Sequence, residues 1–258
     1  MTDRDVTLSV ATYNIHRSMG VDRRIDDGRI LDVILGLDAD LVALQEVETP
    51  LKPEPEFVSL MQRLRHQGYR PVPGPTVSFE RATYGNVLLS RLPIQGRRHV
   101  DLSYPGREPR ALIDVSVEMK GADMKEPPAD SVGCPLRCFA THLGLSAAER
   151  RCQLARISER LSRLERRAEG MHPTILLGDF NEWRRHPRRL AVIDAWLRPA
   201  PIPSTFPGCL PLLPLDRIWY GGGLRLERIE VIRTKLTRVA SDHLPLKASL
   251  VYRGGSSL

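Results

Sequence analysis

Short apolar or alternating runs follow one another along most of the chain. LSVATYNIH (8–16), ADLVALQEV (39–47), GNVLLSR (85–91), ALIDVSVEM (111–119) and RCFATHL (137–143) read as strands, as do TILLGDF (174–180), LDRIWY (215–220), LERIEVIRT (226–234) and LPLKASLVY (244–252). In 111–119 the period is two: Leu112, Asp114, Ser116 and Glu118 face one way, Ile113, Val115 and Val117 the other. Others are continuously apolar, as in strands covered on both faces. Helical spacing interrupts them. Ile30, Val33, Ile34 and Leu37 form one stripe, with Asp27 as candidate cap. The segment 56–68 stops at Gly68, and RRLAVIDAWL (188–197) predicts a short helix. The longest helix begins at Ser146 and Glu149, which have capping-box spacing, and carries Leu154, Ile157, Leu161 and Leu164 on one face. The proline-rich stretches 49–56, 70–76, 124–135 and 198–215 read as loops, and 253–258 as a loose tail. These elements predict one α/β domain over 1–258, core about 8–252, with packed sheets and helices outside.

Composition narrows the classes. In 258 residues no apolar run is long enough to span a membrane, and acids stand where a secretory signal would be basic, which predicts a soluble, cytoplasmic protein. Four cysteines are too sparse for a disulfide scaffold; the zinc-like grouping Cys134, Cys138 and His142 competes with buried free thiols, the commoner state. The formal charge of +7 favours a polyanionic or phosphorylated partner. Much of the excess lies in the long helix, where Glu149, Glu159, Glu165 and Glu169 have the spacing to pair with arginines. The cluster WRRHPRR (183–189) is denser: Trp183 and its arginines would suit a base, a lipid headgroup layer, or plain packing.

Polar residues stand at the ends of the apolar runs: Asn14, Glu46, His142, Asp179 with Asn181, Asp216, and Asp242 with His243. Any one of them makes an ordinary turn residue; together they describe converging strand ends. Asn14, Glu46, Asp179, Asn181 and Asp242 offer oxygen ligands, which suit Mg²⁺ or, as a substitute, Mn²⁺ beside a phosphate. The two histidines remain for proton transfer and charge stabilisation.

The ordered set TYNIH, LQEV, GNVLLSR, EPRALI, THLG, GDFN, LDRIW and SDHLPL resembles the endonuclease/exonuclease/phosphatase (DNase I-like) superfamily, from about Leu8 to Tyr252. The resemblance implies a four-layer αββα sandwich of two mainly antiparallel sheets, and Mg²⁺-dependent hydrolysis of a phosphate ester. It implies Glu46 as principal metal ligand, with Asn14 and, at an alternative position, Asp242. Asp179 is similar to the residue that orients or deprotonates water, Asn181 to a phosphate-oxygen partner, and His243 to the histidine that stabilises pentacovalent phosphorus, its tautomer set by Asp216. His142 matches a second histidine, a candidate general acid, and Glu108 the acid that pairs with it. Arg110 is a candidate phosphate contact, or with Glu108 a surface ion pair. THLGLSAAERRCQ resembles the sphingomyelinase-like branch more than the exonuclease III branch. The expected activity is a phosphodiesterase acting on a phospholipid headgroup or nucleic acid. A phosphomonoesterase on a soluble phosphate such as an inositol phosphate, an AP-endonuclease or DNase-like nuclease, and a binding module are the alternatives. The expected partners are the phosphate ester and an anionic lipid surface or nucleic acid at 183–189, with no obligate protein partner.

Overall fold

A computed structural model of the chain describes residues 5–52, 58–119, 135–167 and 172–252. The first half holds β1 (Val6–Asn14), α1 (Asp27–Leu37), β2 (Leu41–Pro50), α2 (Leu60–His66), β3 (Arg70–Ser78), β4 (Ala82–Ser90), β5 (Ile94–Asp101) and β6 (Ala111–Glu118). The second holds β7 (Pro135–His142), α3 (Ala147–Arg167), β8 (Thr174–Asp179), α4 (Ala191–Asp194), β9 (Arg198–Pro199), β10 (Asp216–Gly221), β11 (Leu224–Val231), α5 (Thr237–Ala240) and β12 (Leu246–Tyr252). One sheet has the order β11-β12-β1-β2-β4-β3 and the other β5-β6-β7-β8-β10-β9. Neighbours are antiparallel except β1 with β2 and β7 with β8.

Side-chain alternation explains the layers. Leu8, Val10, Leu41, Ala43 and Leu88 of one sheet meet Ile113, Val115, Ile175 and Leu177 of the other in a core between the sheets. The intervening residues Ala11, Tyr13, Val42 and Leu44 face outward, onto the Ile30, Ile34 and Leu37 stripe of α1 and Leu64 of α2. On the opposite side Phe139, Leu176 and Trp219 pack under Leu154, Ile157 and Leu161 of α3. Each such leucine, removed from water, contributes roughly 1.5–3 kcal/mol. This is the αββα sandwich that the motif order implied. The buried Asp114 ties α3 down, accepting from Arg160 Nε at 2.8 Å and from Arg137 Nη2 at 3.1 Å. A carboxylate this deep would be costly without both guanidinium groups.

Several expectations are corrected. Asp26, not Asp27, caps α1, accepting from the amides of Gly28 and Arg29. The helix expected over 188–197 is a 3₁₀ turn, Arg188–Leu190, and one turn of α4. The stretch expected as a loop at 70–76 is strand β3. Its prolines survive because β3 is an edge strand: Pro71, Pro73 and Pro75 are spaced two apart, so all three missing N–H groups lie on one side of the strand. Strand β5 was also missed; it is an edge strand of the other sheet, and its sequence IQGRRHVD lacks an apolar face to betray it. The caps expected of α3 form: Ser146 N–H donates to Glu149 Oε2 at 2.9 Å and Glu149 N–H to Ser146 Oγ at 3.3 Å. Glu149 is thereby a cap rather than a partner for helix arginines. Gly68, at φ +84°, follows α2 as expected. Cys134, Glu169 and the 253–258 tail lie outside the described residues. Cys138 sits fully buried between the sheets, where desolvation raises the pKa of its thiol and disfavours a metal-binding thiolate.

One glycine holds β7 and β8 together. Gly178 sits at φ +152°, and a Cβ there would lie 1.9 Å from Thr141 O on the neighbouring strand β7. Gly178→Ala should lower stability by about 2–3 kcal/mol, read as a Tm lower by roughly 5–10 °C. Gly36→Ala, on an exposed helical position with nothing near its Cβ, should instead raise stability by about 0.5–1 kcal/mol. A neutral Gly178→Ala would refute the close-approach account.

Candidate active site

The parallel strands β1, β2, β7 and β8 run toward the same edge of the sandwich, and β10 and β12 start from it. Asn14, His142 and Asp179 end their strands there, Asp216 opens β10, and His243 stands just before β12. Glu46 reaches the edge differently. Its strand continues to Pro50, and Glu46 sits in a bulge between Leu44 and Val47 at φ +57°, which re-aims its carboxylate.

Asp179 is the hub. It is 1 % exposed, and its Oδ1 accepts from the backbone N–H of Asn181 at 2.8 Å. Its Oδ2 accepts from Asn14 Nδ2 at 3.1 Å and lies 3.5 Å from His142 Nε2 and 3.7 Å from His243 Nε2. Asn14 Nδ2 also donates to Glu46 Oε1 at 3.0 Å, so one amide group links both carboxylates. The Asn14 side-chain oxygen accepts from the backbone N–H of His16 at 3.0 Å. The positive φ of Asn181, +48°, turns its side chain back, and Nδ2 donates to Leu143 O at 2.8 Å while lying 3.0 Å from His142 Nε2.

The two histidines differ in charge. His243 Nδ1–H donates to Asp216 Oδ2 at 2.8 Å, and Thr205 Oγ1–H donates to the same oxygen at 2.6 Å. Burial alone would depress the His243 pKa; the Asp216 carboxylate, helped by Asp179 and Asp242, outweighs it and holds the pKa up at about 10. His142 goes the other way. Desolvation, assisted by the nearby Arg110, pushes its pKa down to about 3 against the pull of Asp179. Arg110 Nη1–H donates to His142 Nδ1 at 3.0 Å. Because guanidinium can only donate, Nδ1 accepts and the proton of the neutral ring falls to Nε2, where it faces Asp179 Oδ2 and competes with the Asn181 Nδ2 hydrogens for the same space.

The pairing of Glu108 with His142 that the resemblance implies is not formed. Glu108 Oε1 lies 3.3 Å from Arg110 Nη1, and Arg110 stands between the acid and the ring. This is also more than a surface ion pair, since Arg110 is only 7 % exposed. Asp242 is at the rim: its Oδ1 lies 3.3 Å from Ser241 Oγ and 3.6 Å from His16 Nδ1. His16 was not anticipated; half-buried Tyr84 also lies near, its phenol pKa raised by burial and by the charges of Glu46 and Glu108. Ser241, which donates from Oγ to Asn14 O at 2.8 Å, and Thr205 complete the support. Ser241 opens the SDHLPL motif, whereas a threonine in a proline-rich loop carries no motif, and only the fold brings Thr205 in.

The donor set suits a hard cation. Glu46, half-buried, is linked to the Asp179 carboxylate through Asn14 Nδ2, and both carboxylates are oxygen donors. Ligand atoms of Asp179, Asp216 and His243 also lie within 4.8 Å of one another, and buried Asp216 Oδ1 has no hydrogen-bond partner among the described residues. The proton shared by His243 and Asp216 already supplies positive charge there, which favours the Glu46 side for an added cation.

The signature of the Endonuclease/Exonuclease/phosphatase family matches residues 11–243. The chain is similar to Uncharacterized protein YbhP of Escherichia coli K12, 29 % identical over 261 aligned residues that cover 95 % of this chain and 96 % of that one. It shares its fold with an endonuclease/exonuclease/phosphatase from Beutenbergia cavernae, with a TM-score of 0.70 and 24 % identity over 97 % of this chain and 72 % of that one. A Bacteroides thetaiotaomicron mannosyl-6-phosphatase superposes with a TM-score of 0.72 at 19 % identity, covering 95 % of this chain and 100 % of that one.

Opposite histidine charges give a pH signature in metal-free protein. The His243 pKa is raised above the ordinary 6.5, so its stabilising contribution is full below about pH 6.5 and is lost as pH rises through about 10. The His142 pKa is lowered, so its contribution is full above about pH 6.5 and is lost as pH falls toward about 3. Imidazole ¹⁵N spectra at about pH 8 should show His243 still protonated and His142 neutral, with His142 neutral still at about pH 5. Asp216→Asn should return His243 toward the ordinary range and remove the alkaline loss of stability. A neutral His243 in the native protein at about pH 8 would contradict the assignment.

Proposed function

The chain belongs to the Endonuclease/Exonuclease/phosphatase family, and on that premise we propose that it is a Mg²⁺-dependent phosphodiesterase. The carrying observation is the Asp179 carboxylate ringed by donors, with His243 held cationic beside it. Glu46, with Asn14 and Asp242, would hold Mg²⁺ or Mn²⁺, which supplies charge neutralisation at the phosphoryl oxygens when bound. Asn14 supports this by bridging Glu46 to Asp179 through its nitrogen, so Glu46 is the principal ligand.

A water beside Asp179 Oδ2 is aligned for attack on phosphorus, and the carboxylate takes its proton as the new P–O bond forms. His243 Nε2–H donates to a non-bridging oxygen as charge builds there, with Asp216 holding the ring by Nδ1. Asn181 and Arg110 contribute phosphate-facing N–H groups. His142 acts as a neutral Nε2–H donor rather than as an imidazolium acid, because Arg110 occupies Nδ1. The leaving alkoxide takes a proton from solvent, and Asp179 returns its own.

Charge favours a diester. Arg110 already serves Glu108 and His142, which leaves His243, paired with Asp216 through Nδ1, to meet the phosphate with Nε2–H beside Asp179. That matches a monoanionic diester better than a dianionic monoester. The mannosyl-6-phosphatase neighbour favours a monoester instead, although the likeness is of fold alone. The substrate is a phospholipid headgroup or nucleic acid, in a chain whose THLGLSAAERRCQ stretch is nearer the sphingomyelinase-like branch.

The test is turnover of bis-(p-nitrophenyl) phosphate with Mg²⁺ or EDTA. Hydrolysis should require Mg²⁺ and should be lost in Glu46→Ala. Asp179→Asn should lower kcat by roughly 10²–10⁴-fold while metal binding persists. Normal turnover of Asp179→Asn would remove Asp179 from its role. Release of inorganic phosphate from monoesters, with indifference to the diester, would establish the phosphatase reading instead.

A further inference from the structure

Exposed apolar side chains are ordinary when scattered singly over a surface. Here they are confined. Among the described residues, every large apolar side chain that is exposed, except Val192, stands on a loop at the catalytic edge. Ile25 follows β1, Phe79 tips the β3–β4 hairpin, Leu145 follows His142, Trp183 follows Asn181, and Leu210 and Leu212 lie on the loop that leads into Asp216. Exposures reach 75 % at Ile25 and 74 % at Leu145. At the opposite edge the described turns, 38–40, 67–69, 91–93, 195–197 and 222–223, bear none.

Charge on the catalytic edge has one dominant sign. Arg17, Lys52, Arg81, Arg107, Arg184 and Arg188 are exposed on these same loops. Several acids there are engaged, Asp22 with Arg29, Glu48 with Arg17 and Glu108 with Arg110, while Glu80 is exposed beside Arg81. The Arg184 guanidinium lies 5.8 Å from the centre of the Trp183 ring, the pairing of an aromatic body with a cationic tip that suits an interface between apolar and wet phases.

We propose that this edge docks on the surface of a phospholipid bilayer containing anionic lipid, so that the diester presented to Asp179 is a headgroup phosphate. The substrate class rests on the phosphodiesterase reading; the docking does not. Three features select the bilayer. The exposed tips are mostly aliphatic, and leucine and isoleucine insert at the acyl boundary but offer no π-face to a base. They sit on separate loops around the pocket, as contact with a broad plane requires, rather than in a groove that would receive a peptide or helix. The interleaved arginines and lysine complement anionic headgroups. Single-stranded nucleic acid, by contrast, would be met by stacked aromatics, and Phe79 and Trp183 stand on different loops.

The test is co-sedimentation in EDTA with phosphatidylcholine vesicles, with and without a minority of phosphatidylglycerol. The native protein should pellet with the phosphatidylglycerol vesicles, with a blue shift in Trp183 fluorescence. The Leu145→Ser/Leu210→Ser/Leu212→Ser variant should bind them at least about tenfold more weakly. Val192→Ser, off the edge, should bind as native. The triple variant should keep its melting temperature and its turnover of soluble bis-(p-nitrophenyl) phosphate. Equal pelleting of native and triple variant would overturn the proposal, as would native protein left in the supernatant with both vesicle types. Self-association in vesicle-free buffer that the serine changes abolish would overturn it too, as would preferential capture by single-stranded DNA. Vesicle binding in EDTA, with no hydrolysis of vesicle lipid or of bis-(p-nitrophenyl) phosphate once Mg²⁺ replaces EDTA, would leave docking intact and remove the phosphodiesterase reading.

Discussion

One hydrogen bond joins the two halves of this sandwich where its chemistry is placed. Asn14 ends β1 in one sheet, Asp179 ends β8 in the other, and Nδ2 of the first donates to Oδ2 of the second at 3.1 Å. Both groups are almost wholly buried, so neither can be satisfied by bulk water. The cost of leaving either unpaired constrains the separation and slide of the sheets at this edge. Everything else in the pocket takes its position from that link: Glu46 through the same amide, both histidine rings from the oxygen it meets, and Ser241 from the Asn14 carbonyl. The inter-sheet apolar core sets the distance only coarsely, since side-chain packing tolerates some sliding; a directional polar contact does not.

Around that link, the pocket separates charge between rings of the same residue type. Asp216, backed by the Thr205 hydroxyl, makes one imidazole a standing cation. Arg110 makes the other a neutral donor by occupying its Nδ1. Two cationic rings flanking Asp179 would have repelled each other; two neutral ones would have left the phosphate without a positive partner. The arrangement gives one cation, one neutral donor and one carboxylate within hydrogen-bonding reach of a single point. It needs burial to work, because solvent would screen the Arg110 and Asp216 effects that drive the pKa values apart.

The strand ends were legible because polar residues closing apolar runs are written locally. Asn14, His142, Asp179, Asp216 and His243 all fall where a period-two run stops, and all reach the pocket. What escaped depends on non-local geometry. Glu46 reads as a strand end, yet its strand runs on, and only the pairing with β4 reveals the bulge that aims it. Strand β3 hid behind prolines that an edge position excuses, and β5 behind charges for the same reason. The insertion of Arg110 between Glu108 and His142 could not be read from EPRAL, since the spacing of two residues says nothing about which one lies nearer a ring from another strand. Support from Thr205 and Ser241 is likewise a property of the folded loops alone.

The surface around the pocket obeys a different rule from the pocket itself. Inside, hydrogen bonds between named groups interlock the two sheets at Asp179; outside, the loops raise aliphatic tips and cationic stems. Each exposed leucine or isoleucine on these loops presents apolar area to water. Such an arrangement becomes favourable only when the loops share a common partner, broad enough to meet all of them at once and soft enough not to require their exact register. A headgroup layer has both properties. The rigid pocket and the compliant rim then divide the work: the sheets set the chemistry at Asp179, and the loops bring a phosphate ester to it from a two-dimensional source.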